Sequence, residues 1–90
     1  MTRHPKDAAA WQLLASAYSA QGMLLRSIRA EGEAQVAQLD YAGALDRFKA
    51  AQMLVHNTVG GAGVDHIEAS IVDTRARQVQ SLLREQALER

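Results

Sequence analysis

Ninety residues without a single cysteine, with one proline, one tryptophan and one phenylalanine, leave little room for several kinds of protein. The lack of cysteine excludes disulfide staples, thiol catalysis and thiolate metal sites, and it leaves the redox compartment open. Charge of one sign is missing too: ten Lys and Arg balance ten Asp and Glu. No bulk field therefore draws the chain toward nucleic acid or anionic lipid. No run approaches the ~20 apolar residues of a membrane span. The opening Met1-Thr2-Arg3-His4-Pro5-Lys6-Asp7 has no apolar stretch of the kind an export signal carries. A chain this short hides only about 60–65% of its unfolded surface, which allows one thin core and no deep catalytic cavity.

What is present is helix-forming. Seventeen Ala, ten Leu and eight Gln dominate the composition, and these residues lose little freedom in a helix. Trp11, Leu14, Ala15 and Tyr18 fall at i, i+3, i+4 and i+7 and end at Gly22, which predicts a helix over 7–21 with Asp7 as its cap. A second helix is expected over 23–38. Leu25, Ile28, Gly32, Val36 and Leu39 should form its apolar face, with Arg26, Arg29 and Glu33 on another. Gly32 inside it costs about 1 kcal/mol relative to Ala, a cost that a close helix crossing would justify. Asp40 caps a third helix over 41–55 with Tyr41, Ala44, Leu45, Phe48, Ala51 and Val55 inward. The two short junctions force these helices into antiparallel neighbours. Residues 56–63 carry three Gly and read as a flexible connector. Asp65 and Glu68 then read as a capping box opening a long helix over 65–88. Its apolar arc holds Ile67, Ile71, Val72, Ala76, Val79, Leu82 and Leu83, and its distal turns should overhang the shorter helices. Arg75 lies within that arc, so its stem should be buried and its head should reach an acidic partner. Asp73 and Arg77 read as an i, i+4 surface pair. The fold class is all-α.

The spacing Trp11-x2-Leu14-Ala15-x2-Tyr18, and again Asp40-Tyr41-x2-Ala44-x3-Phe48-x2-Ala51, resembles a tetratricopeptide (TPR) repeat, with Gly32 at the small position of the intervening helix. Alternation of small and large side chains is the physical basis of that pattern, because helices approach at Ala and Gly while aromatic rings fill the gaps. The likeness reaches further. His4-Pro5-Lys6-Asp7 through Trp11-Gln12-Leu13-Leu14-Ala15, Arg29-Ala30-Glu31, Leu39-Asp40-Tyr41, Ala44-Leu45-Asp46-Arg47 and Asp65-His66-Ile67-Glu68 to Asp73-Thr74-Arg75 are similar to the C-terminal TPR region of one family. That family is the bacterial periplasmic zinc metallopeptidases of the beta-barrel assembly-enhancing protease type. The resemblance implies a periplasmic tail that recruits protein partners, among them the outer-membrane assembly machinery or its own protease domain. Zinc would be held by an H-E-x-x-H helix in a catalytic domain that this sequence does not contain. Without that context the chain would read as cytoplasmic.

No local chemistry competes with this picture. His4, His56 and His66 are too far apart in sequence to share a helical turn as zinc ligands do. Gly60-Gly61-Ala62-Gly63 lacks the Lys-Ser/Thr ending of a phosphate-binding loop. Ser16, Ser19 and Ser70 have no base at helical spacing. No cofactor is expected for this chain. Mapping the partner-binding face of a TPR array onto it gives Gln12, Ser16 and Ser19 from the first helix and Arg26, Arg29 and Glu33 from the second. Arg26 and Arg29, one turn apart, would hold a carboxylate or phosphate by forked hydrogen bonds. The same pair also reads as two solvated arginines. The expected function is non-catalytic protein recruitment. A free-standing adaptor or chaperone is one alternative, and a structural domain that dimerises through Leu82, Leu83 and Leu88 is the other.

Overall fold

The computed structural model describes residues 5–57 and 66–89. Four helices follow one another: α1 (Pro5–Ala20), α2 (Leu24–Ala37), α3 (Tyr41–His56) and α4 (His66–Leu88), and no strand occurs among the described residues. The chain is all-α. Each helix packs chiefly against its neighbour in sequence, and α2 also touches α4, a helix-pair arrangement consistent with TPR-like packing. His56, expected to open the glycine-rich connector, still belongs to α3 with Asn57 as its C-cap, while residues 58–63 of that connector and the Asp65 cap lie outside the described residues.

Two short turns set the direction of the first three helices. After α1, Gly22 adopts φ 76°, its N–H donates to the Ser19 carbonyl, and the Met23 N–H reaches back to Tyr18 O at 2.8 Å. This is a Schellman closure. The turn after α2 repeats it with Leu39, φ 62°, whose N–H donates to Val36 O while Asp40 N–H donates to Gln35 O. A leucine in the left-handed region is strained, but here its side chain packs against the core. Asp40 then caps α3 as expected, accepting from Gly43 N–H at 3.0 Å. The α1 helix begins two residues earlier than the sequence suggests, because proline is well tolerated in a first helical turn. Asp7 therefore sits inside the helix and is not its cap.

The core forms where α3 meets α4. Tyr41, Ala44, Leu45 and Phe48 pack with Ala76 and Val79, flanked by Val36, Leu39, Leu82 and Leu83. Gly32 of α2 lies tight against Phe48 of α3: a Cβ there would lie 2.9 Å from two atoms of the Phe48 ring. The predicted reason for that glycine holds. Between α1 and α2 the contact is made by small residues, Ala8, Ala15, Ala30 and Ala34, and the buried Ser27 hydroxyl donates to Ala15 O at 2.9 Å.

Several expected core positions differ. Leu14 is exposed and Trp11 and Tyr18 are only half-buried, because α1 is covered mainly by α2. Ile67 lies in the first turn of α4 and is exposed. On α2 the buried positions are Ser27, Ala30, Gly32, Glu33 and Ala34, while Leu25, Ile28 and Val36 are half-covered. A single apolar stripe does not describe a helix with neighbours on three sides. The distal part of α4 does not overhang either. Leu82 and Leu83 pack on the core, Gln86 donates to Leu39 O at 3.2 Å, and of the three leucines only Leu88 is exposed. Leu82 and Leu83, two of the three leucines of the expected dimerisation seam, are thus partly covered within the chain itself. Asp73 accepts from Gln52 of α3 at 3.1 Å, in place of the expected pairing with Arg77.

Candidate functional site

The side of α2 that faces α4 is charged. Arg29 and Glu33, one turn apart on α2, meet Glu68 and Arg75, two turns apart on α4. Arg29 Nε donates to Glu68 Oε1, and Arg29 Nη1 lies 3.4 Å from Glu33 Oε2. Arg75 grips Glu33 with both arms of its fork, Nε to Oε2 at 2.9 Å and Nη2 to Oε1 at 2.8 Å. Signs alternate along the chain Glu68, Arg29, Glu33, Arg75, so each of the four charges contacts one of opposite sign. The side chains keep only 7%, 17%, 10% and 25% of their exposure. At such burial an unpaired charge would be costly, and the fork geometry is what offsets desolvation. The Arg29 guanidinium also lies over the Trp11 ring, 5.5 Å from its centre, which adds α1 to the arrangement. The expectation for Arg75 is met in full. Glu68, expected as half of a capping box, serves as a buried partner of Arg29.

This geometry divides the predicted binding face. Arg29 and Glu33 belong to the internal network, so Arg29 is not free to take an external carboxylate alongside Arg26. Arg26 is itself half-buried and engaged in interactions of its own. The expected anion fork therefore does not form.

Gln12, Ser16 and Ser19 do come together, on the opposite side of α2. With Ser27 and Glu31 they line an open groove of about 580 Å³ between α1 and α2. A second hollow of about 200 Å³ shares Gln12 and Glu31 and runs on to Gln35 and Gln38. Sequence reasoning missed Glu31, Gln35 and Gln38, although their i, i+4, i+7 spacing places them on one helix side. Glu31 pairs with Arg47 of α3 at 3.5 Å, both side chains nearly half exposed.

A third surface is the outward side of α1. Ala9, Ala10, Leu13 and Ala17 lie on the side of α1 opposite the buried Ala8 and Ala15, and all are exposed. From Ala8 to Leu25 the sequence contains no charged residue. Leu13 is 73% exposed, with Leu14, Met23 and Leu24 also uncovered along this run.

Among the described residues, no three His, Asp or Glu side chains converge as a metal-holding group. His56 and His66 are exposed; His4 lies outside the described residues. No described helix is long and apolar enough to cross a membrane. No protein-family model, curated protein or solved structure matches this chain, so no family is assigned to it by comparison.

Proposed function

We propose that this chain is a protein-interaction module with no chemistry of its own, working as the C-terminal TPR-like part of a periplasmic zinc metallopeptidase in outer-membrane protein quality control. The observation that carries the interaction reading is the outward side of α1. In a helical array, a helix whose outer side meets only water carries a polar outer face. Here eighteen consecutive residues, Ala8 to Leu25, lack charge and leave Leu13 almost bare. Contiguous exposed apolar surface of this kind marks contact with another protein. The alanines beside Leu13 suit a closely approaching helix, as Ala15 and Ala30 do inside the chain. The metallopeptidase context rests on the sequence likeness alone. The free-standing adaptor differs from it only in what covers α1.

Affinity capture from a bacterial envelope extract tests both parts. The wild-type chain is expected to retain a zinc metallopeptidase or a component of the outer-membrane assembly machinery, and Leu13→Glu is expected to release it. Equal retention by the two proteins would remove α1 as the contact. Capture of cytoplasmic chaperone clients instead would favour the adaptor.

A further inference from the structure

The two hollows between α1 and α2 share Gln12 and Glu31, which makes them one trough rather than two sites. From Ser27 to Gln38 the trough follows α2 for about 16 Å, the length of about five residues of extended chain. Its floor is closed. Ser27 already donates to Ala15 O, so it offers no donor to a ligand. Its walls carry the hydroxyls of Ser16 and Ser19 and the amides of Gln12, Gln35 and Gln38. Hydroxyls and primary amides both donate and accept, which suits the alternating N–H and C=O groups of an extended backbone. Glu31 is the single charged residue lining either hollow.

We infer that this trough receives an extended, polar peptide segment whose one charged residue is a Lys or Arg, and that this cationic head takes Glu31 from Arg47. The inference rests on the reading of the chain as an interaction module, but it uses a different side of α1 from the Leu13 surface. The exchange at Glu31 is feasible because the Glu31–Arg47 contact is long, at 3.5 Å, and both side chains are about half exposed. Such pairs are held weakly in water. An incoming cation that is also held by backbone hydrogen bonds competes well with a tethered arginine in that setting. An anionic segment finds the opposite, because the one charged residue of the lining is Glu31, Arg47 is not part of that lining, and the cations of the neighbouring network are paired with Glu33 and Glu68.

The test uses synthetic hexapeptide pools of Ser, Gln, Asn and Gly with Lys, Arg, norleucine or Glu fixed at the third position. Amide chemical shifts of the isotope-labelled chain report where each pool binds. Lys and Arg pools are expected to shift Gln12, Ser16, Glu31 and Gln35, and to bind roughly threefold or more tightly than the norleucine pool. The Glu pool should be weakest. Glu31→Gln should level the four pools, and Arg47→Gln should strengthen the Lys and Arg pools with an unchanged far-ultraviolet spectrum. Binding that is absent, indifferent to the third residue, or mapped away from the trough would overturn the inference. None of those outcomes bears on capture through Leu13, so the two can fail separately.

Discussion

Arg75 on α4 and Glu33 on α2, forty-two residues apart in sequence, are joined by two hydrogen bonds of 2.9 and 2.8 Å from one guanidinium to one carboxylate. The pair fixes the rotation and height of α4 against a helix that is not its neighbour in the chain. Apolar contact alone would permit α4 to slide along α3, since Val72, Ala76 and Val79 repeat at similar spacing. A fork with one acceptor does not permit it.

Removing Arg75 leaves the buried Glu33 carboxylate with only its longer, 3.4 Å contact to Arg29. Arg75→Met is expected to destabilise the chain by about 2–3 kcal/mol, less than a fully buried pair because the arginine is a quarter exposed. The double change Arg75→Met with Glu33→Met should recover much of that loss. Urea unfolding of the wild type, Arg75→Met, Glu33→Met and the double variant gives the coupling directly, and additive single effects would show that the fork carries none.

Gly32→Ala tests the α2–α3 crossing. Helix propensity alone would predict a gain of about 1 kcal/mol. The added methyl would sit 2.9 Å from the Phe48 ring, so the expected net outcome is a loss of about 1–2 kcal/mol from overpacking. Phe48→Leu in the same chain should reverse part of the Gly32→Ala penalty.

Gly22→Ala addresses backbone conformation without packing. Nothing lies within 4 Å of a Cβ at that position, yet φ is +76°. A loss of about 1 kcal/mol in thermal unfolding is expected from the left-handed backbone alone. An unchanged melting temperature would mean that the turn relaxes.

The sequence was legible where the determinants are local or periodic. Helix boundaries followed Gly22, Asp40 and the 3.6-residue repeats to within two residues. Gly32 and Arg75 were interpretable because each breaks the pattern of its own helix and so demands a partner. Leu14 and Ile67 were misplaced because periodicity shows which side of a helix is apolar but not whether anything covers it. The split of the predicted binding face has the same origin. Arg29 lies beside Arg26 in sequence and one turn from Glu33, and only the approach of Glu68 and Arg75 on a distant helix decides that it turns inward. The alternating charges at Arg29, Glu33, Glu68 and Arg75 were the available signal, but pairing them requires the α2–α4 contact, which no local spacing encodes.

The claim that the outward side of α1 is a protein contact is tested most directly by a photocrosslinking residue placed at position 13 in living bacteria, with position 46 on the exposed side of α3 as control. Crosslinks from position 13 to a metallopeptidase or outer-membrane assembly component, with none from position 46, are the predicted result. Crosslinks that are absent at 13, or equal at both positions, would contradict it.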